Sequence, residues 1–184
     1  MRVLAPLVVA LALAAVASTP AQTANLFPVA AGNHWTLRDA GSGLTKKVAI
    51  EHGVTFLELY GFPGLTDGTG VRRKGSDVQV WDASRHRWVT LLRFGAAGTR
   101  FRVDLAGETL WRSVEVTVES TTAVVRDARG RVHRGCTRFS FRYRGLADAG
   151  LTDLTFAPGV GLVRVSQTSF TGPHTSLLVS ARVR

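Results

Sequence analysis

"SVEVTVES", residues 113–120, sets valine between polar residues at every second position. An extended chain puts successive side chains on opposite faces, so Val114, Val116 and Val118 share one side while Ser113, Glu115, Thr117 and Glu119 share the other. A helix would scatter the three valines around its circumference. The stretch therefore predicts a half-buried β-strand, and the same rule recurs along the chain. In "RFRVDL", residues 100–105, Phe101, Val103 and Leu105 oppose Arg100, Arg102 and Asp104. Phe139, Phe141 and Tyr143 oppose Arg138, Ser140, Arg142 and Arg144, and at the C-terminus Leu177, Val179, Ala181 and Val183 oppose Leu178, Ser180, Arg182 and Arg184.

Turn-forming clusters punctuate these segments, among them Gly41-Ser42-Gly43, the stretch 64–70, the stretch 95–98, Asp127 to Gly130, and Thr171-Gly172-Pro173. No segment after the N-terminal leader places apolar residues at i, i+3, i+4 and i+7 over three turns. The expected class is all-β, with about ten to twelve strands in one antiparallel sheet curled into a barrel or half-barrel, because closure removes exposed edges. A two-sheet sandwich is the alternative. Residues 78–81 and 88–94 read as the arms of a hairpin capped by "DASRHR", which makes Trp81 and Trp88 cross-strand neighbours. The segments 54–60 and 88–94 are apolar on both faces. Between Arg131 and Tyr143 the parity breaks: Val132 and Cys136 are even, Phe139 to Tyr143 odd. One face collects all of them only if a β-bulge intervenes near Gly135; otherwise Cys136 faces outward.

The N-terminus, "MRVLAPLVVALALAAVASTPAQTA", follows one Arg with an uncharged apolar run of about 15 residues, short of the ~20 a spanning helix requires. This predicts a secretory signal over residues 1–21, cleaved after Ala21 (Ala17 is the other register), and a single all-β domain over 22–184. No Cys lies near either cleavage position, so lipid attachment there is not expected, and no later segment is long enough to span a membrane. Localisation should be secreted or periplasmic. The chain carries a formal charge of +10, and all its basic residues except Lys46, Lys47 and Lys74 are Arg. Such an excess attracts polyanions. The lone Cys136 cannot form an internal disulfide and reads as a buried core thiol.

Chemistry-bearing motifs are scarce. In "FAPGVGLVRV", residues 156–165, Pro158 presets φ for the first corner of a type II turn and Gly159 takes the positive φ of the second, with Gly161 supplying a bulge as the next strand begins. A phosphate loop would need Gly-Lys-Ser/Thr or a third spaced Gly opening a helix, and neither is present. The five His are too dispersed for zinc spacing, no Gly-x-Ser-x-Gly elbow occurs, and Asp148 with Asp153 read as solvated loop carboxylates. No metal, cofactor or catalytic residue is implied. Arg138, Arg142 and Arg144 on one strand face form the candidate ligand-binding set. No aromatics alternate with them, which argues against nucleic acid. Phe27 and Trp35 read as anchors of the new N-terminus, and Asn33 as the amide that shapes the turn before the first strand.

Three stretches, "FPVAAGNHWTL" (27–37), "RGCTRF" (134–139) and "FAPGVGLVRV", occur in an order and spacing that resembles a group of uncharacterised bacterial secreted proteins. The chain departs from that pattern at Leu37, where an aromatic is commoner, and in a shorter stretch before Cys136. The resemblance implies structural roles for Phe27, Asn33, Trp35, Cys136, Pro158, Gly159 and Gly161, and carries over no catalytic residue. The expected sheet is similar to the open barrels of periplasmic lipoprotein carriers. Residues and resemblance together point to a non-enzymatic binding protein that takes a lipid or other amphiphile in the sheet's concavity. The alternative is an envelope-associated adhesion or scaffold domain that meets an anionic envelope polymer, glycan or lipid headgroup through its Arg-rich face.

Overall fold

The computed structural model describes residues 25–107, 109–143 and 149–184. They form one antiparallel sheet of twelve strands: β1 (His34–Asp39), β2 (Thr45–His52), β3 (Leu57–Tyr60), β4 (Thr69–Lys74), β5 (Asp77–Asp82), β6 (Arg87–Arg93), β7 (Arg100–Val103), β8 (Val114–Arg126), β9 (Val132–Tyr143), β10 (Gly150–Ala157), β11 (Gly161–Ser169) and β12 (Gly172–Arg182). The order across the sheet runs from β6 back to β1, crosses to β12 and descends to β7. The sheet curls into a nearly closed barrel whose one unsealed seam lies between β6 and β7. A single turn of 3-10 helix, Thr109–Trp111, interrupts the strands. The expected barrel is therefore present, and the sandwich alternative is not.

Alternation accounts for the interior. Val114, Val116 and Val118 are fully buried, while Glu115, Thr117 and Glu119 reach the outer surface. Inward aromatic residues interlock along the barrel: Phe27 stacks on Trp35 at 5.0 Å and meets Phe156 edge-on at 5.5 Å, and Phe156 meets Phe94 and Phe139 at 5.4 and 5.8 Å. Phe62 and Trp111, 6.2 Å apart, continue the chain toward Phe141. Edge-to-face pairs of this kind add about 0.5–1.5 kcal/mol each beyond the area they bury.

Strict alternation fails at bulges, and of these the one near Gly135 is the one expected. Gly135 adopts φ +65°, and β8 sets Ala123 to Val125 against Cys136 to His133, so the extra residue near Gly135 is present. It sets His133 on the same side as Cys136 and leaves Val132 43% exposed, while Cys136 joins Phe139 inside through a second slip, where Ser120 and Ala123 of β8 face Arg138 and Cys136. On β12 the register slips beside Val179: Leu37 faces Leu178, so Leu178 is the fully buried residue and Val179 takes up the irregularity. At the turn end of the β10–β11 pair the extra residue is Val163, between Leu162 and Arg164, and not Gly161. A fourth slip near Val78 lets β6 bury both Leu91 and Leu92, which is half the reason 88–94 reads as apolar on both faces. The segment 54–60 has a different reason: Val54 is fully exposed in a turn, and Phe56 lies on the outer face.

The long β8–β9 hairpin reaches across its neighbours. Ala128 N–H donates to Leu178 O at 2.9 Å, and Arg38 Nη2 donates to Ala128 O at 3.2 Å. Its tip is organised by the buried Asp127 carboxylate, which accepts from the backbone N–H of Arg129 (2.9 Å) and Arg131 (3.0 Å) and from Arg131 Nε (2.7 Å). His133 Nε2 lies 3.2 Å away. Burial works to raise the Asp127 pKa, but the His133 and Arg131 contacts and the two N–H groups outweigh it and hold the carboxyl at about 2.

Candidate functional site

Arg138 and Arg142 are both exposed on the outer face of β9, and Arg144 lies outside the described residues. Cross-strand pairing surrounds them with further charge: Arg142 opposes Glu115, which opposes Arg102, and Arg138 Nη2 approaches Asp153 Oδ2 at 3.6 Å. Arg164 reaches the other oxygen of Asp153 at 3.8 Å. Asp153 is thus buried between two guanidiniums on β10 and is no loop carboxylate; Asp148 lies outside the described residues. Glu119 is bonded by Ser140. A shallow open cleft of about 400 Å³ runs between Arg100, Arg142, Glu115 and Glu119. The face is Arg-rich but interleaved with carboxylates.

Phe27, Asn33, Trp35 and the turn at 157–161 form one structural knot. Asn33, fully buried, donates from Nδ2 to Pro28 O (2.9 Å) and accepts the Arg184 N–H on Oδ1 (2.8 Å), joining the two ends of the described chain. Val160 N–H donates to Ala157 O across Pro158-Gly159, and Gly159 has φ +68°, the turn its Pro-Gly pair predicts. Trp35 Nε1 donates to Val160 O at 2.6 Å. Gly161, at φ +93°, lies so close under the Trp35 ring that a Cβ there would sit 2.6 Å from Nε1. Cys136 is fully buried, and desolvation pushes its thiol pKa up.

The seam is another place where the described surface opens. No ladder joins β6 to β7, although only residues 94–99 connect them. Side chains span the gap instead. Arg85, in the β5–β6 turn, donates to Asp104 O at 2.7 Å and Asp104 Oδ2 at 3.0 Å, while lying 3.5 Å from Asp82 Oδ2. Buried Asp82 also accepts the Ala106 N–H at 3.2 Å. Partial burial raises the Asp104 pKa, but the Ser113 N–H and the Arg85 guanidinium overcome it and hold it below the usual range. Farther along, Arg93 forks onto Asp77 and lies 5.9 Å from the Phe101 ring.

Beside this clasp is an open cleft of about 350 Å³. Trp81, Leu105 and Ala106 supply its apolar wall; Thr66, Asp67 and Ser84 are polar, and Gly68, Gly70 and Gly107 keep backbone close to the space. The Trp81 ring is braced outside the barrel by Phe56 (5.4 Å) and Trp88 (5.5 Å), with His86 at 6.4 Å and the Arg72 guanidinium 4.3 Å over Trp88. Trp81 and Trp88 are the cross-strand pair expected from the hairpin. Gly70 permits this cluster, since a Cβ there would meet Phe56 and Trp81 at 3.0–3.1 Å. Sequence reasoning missed the cleft because Thr66 to Gly70 and Ala106-Gly107 read only as turns and Leu105 as the last inward residue of a strand.

One further grouping has the residue types of an acyl-transfer site. His174 Nε2 lies 3.1 Å from Ser169 Oγ, and its Nδ1 lies 3.9 Å from Asp39 Oδ2. The geometry is that of a turn clasp: Ser169 and His174 both engage Thr171, His174 and Asp39 are beyond hydrogen-bond reach, and Asp39 Oδ1 is committed to the N–H groups of Gly41 and Ser42. Among the described residues no three His, Cys, Asp or Glu side chains converge as a metal site, and no helix is long and apolar enough to cross a membrane.

No family model and no curated protein matches the chain. Among solved structures it is similar to a candidate exported protein with a YmcC-like fold from Bacteroides fragilis, at 13% identity and TM-score 0.44, covering 85% of this chain and 98% of that one. A candidate lipoprotein from Parabacteroides distasonis is similar at 12% identity and TM-score 0.38, with the same coverage. Likeness at this level assigns no family.

Proposed function

We propose that the protein is an exported binding protein, without catalysis of its own, that holds an amphiphilic ligand at the open seam. Residues 1–21 would serve as the secretory signal, and 22–184 would work as one secreted or periplasmic domain. The observation that carries the reading is the seam itself. It is clasped by side chains alone, a cleft opens at its end, and Leu105, buried behind that cleft, leads into the apolar interior. Its volume falls in the range of small-ligand sites, although at the lower end. A tail would enter between β6 and β7 and the polar head would stay outside. The concavity itself is packed with aromatic rings, so the ligand belongs at the barrel's side and not at its centre. Native mass spectrometry of protein purified from its own host should show a co-purifying lipid, and stripped protein should take up a fluorescent lipid analogue with an uncharged head. A clean unliganded mass with no uptake refutes the reading.

A second reading rests on the β7–β11 face, where Arg100, Arg102, Arg138, Arg142 and Arg164 outnumber Glu115, Glu119 and Asp153. There an anionic envelope polymer or lipid headgroup would dock. Changing Arg138, Arg142 and Arg144 to Ser should lower the salt needed to elute the protein from heparin, with folding unchanged. Equal elution removes this reading.

A further inference from the structure

The chemistry of the seam cleft narrows the class of head group it can hold. In a chain of formal charge +10, its lining is a local exception: it contains Asp67 and Asp82 and no Lys, Arg or His, and since buried Asp82 is offset by Arg85, the charge the cleft presents is that of exposed Asp67. A carboxylate or phosphate head would meet like charge there. A quaternary ammonium would want a cage of rings, and this cleft offers one indole. What remains is a flat indole beside carboxylate, hydroxyl and bare backbone. An aromatic plane takes the C–H face of a sugar ring, while short polar side chains and close backbone take its hydroxyls. The indole is also held in place. Phe56 and Trp88 brace it, and Gly70 gives up its own side chain to let them, so little ordering cost falls on binding. Asp67 is anchored by accepting the Gly61 N–H on Oδ1 at 2.6 Å, which fixes the carboxylate and leaves it exposed at the cleft. His86 adopts φ +48° in the turn beside Trp81, a left-handed conformation that keeps the turn tight against the ring.

We infer that this cleft binds a neutral pyranoside, its ring stacked on Trp81 and its hydroxyls bonded by Asp67, Ser84 and the neighbouring backbone; the inference rests on the binding function proposed above. The pyranoside is either a free glycan unit or the head of a glycolipid, and the experiment separates the two.

The test follows the four indole N–H signals by nuclear magnetic resonance. Trp35 and Trp111 serve as internal controls, since both are fully buried and donate to Val160 O and Pro63 O. Three probes are titrated: methyl glucoside, and octyl glucoside and decanoate, each of the last two below its critical micelle concentration. Both glucosides should move the Trp81 signal and the Gly68 and Ser84 amides, leave Trp35 and Trp111 still, and lose that effect in a folded Trp81→Leu variant. Decanoate should leave Trp81 unmoved. Octyl glucoside binding at least tenfold tighter than methyl glucoside assigns a glycolipid, because the tail is then buried too. Equal affinities assign a free glycan and remove the amphiphile part of the function above. If decanoate moves Trp81 and neither glucoside does, the sugar inference is overturned while the binding function stands. Silence from all three probes overturns both, and glucoside shifts that survive Trp81→Leu overturn the stacking site.

Discussion

Replacing Gly161 with Ala tests whether the C-terminal turn is shaped by backbone conformation or by the ring above it. Two costs are superposed there. Gly161 sits at φ +93°, and an L-residue in left-handed backbone costs about 1–2 kcal/mol. The new Cβ would also lie 2.6 Å from Trp35 Nε1 and 2.8 Å from Cε2 and Cζ2. Trp35 cannot retreat, because it is fully buried, stacked on Phe27, and bonded through Nε1 to Val160 O. Overpacking a site this constrained costs about 1–3 kcal/mol. The sum is about 3 kcal/mol. Gly159, two residues away, isolates the first cost: its φ is +68° and a Cβ there meets nothing within 4 Å, so Gly159→Ala should cost about 1 kcal/mol. Urea unfolding followed by circular dichroism measures both. The expected difference is about 2 kcal/mol, or roughly 4–8 °C in Tm for a chain of this size. Trp35→Phe should relieve part of the clash, so the Trp35→Phe/Gly161→Ala pair should fall short of additivity by about 1 kcal/mol. Two glycine variants within 0.5 kcal/mol of each other, or a fully additive double variant, would show that Trp35 does not press on this turn.

Three other outcomes follow from the same structure. Asp127 has its pKa lowered to about 2, so its contribution is complete above the ordinary carboxylate range and is lost as pH falls from about 4 through 2. Comparison of urea midpoints at pH 5 and pH 2.5 should show wild type losing about 1–2 kcal/mol more than Asp127→Asn, the figure reduced for solvent around the half-exposed Arg131; parallel losses would discard Asp127 as the hub of the hairpin tip. Arg85→Ala should speed amide exchange in β6 and β7 while leaving β1 and β12 unchanged, because it removes a clasp of the seam and leaves buried Asp82 with fewer partners; uniform acceleration would mean the seam has no local stability of its own. Cys136 should resist thiol reagents in native buffer and react only in denaturant, at the rate of global unfolding.

How much of this was legible in the sequence depends on the range of the signal. Val114, Val116 and Val118 announce their strand because alternation is a property of adjacent residues. The Pro158-Gly159 turn and the Trp81–Trp88 pair are legible for the same reason. Bulges are a different matter, since an extra residue is defined only against a partner strand. Val179 and Val163 look like ordinary members of alternating runs until Leu37 and Arg164 find their places in register. The bulge at Gly135 could be inferred because it broke a parity among large residues. Function was less legible still. Arg138 and Arg142 cluster in sequence, but Glu115 and Asp153, which temper them, arrive from β8 and β10. The cleft draws on three separated segments, each no more than a turn or strand end alone; the β4–β5 pairing sets Asp67 near Ser84, and only the curl of the barrel brings Leu105 to them.

The placement of the seam is the strongest argument that it is there for a purpose. Pairing β1 with β12 joins the two ends of the described chain and carries the largest loop-closure entropy in the sheet, since entropy cost grows with separation. The chain meets that cost with the Asn33–Arg184 bond, the Trp35–Val160 bond and the Phe27 stack. Pairing β6 with β7 would be far easier, because only residues 94–99 lie between them. Yet this pair is the one left unmade. Specific residues mark the gap: β6 carries a slip against β5 that buries both Leu91 and Leu92, β7 spans only Arg100–Val103, and Arg93 is drawn back onto Asp77. Arg87, Arg93, Arg100 and Arg102 also line the two edges, which guards unpaired strands against pairing with other chains. A sheet that closes its hardest joint in hydrogen bonds and guards its easiest one with charge has kept that edge accessible, and the cleft proposed to hold the ligand lies at the end of it.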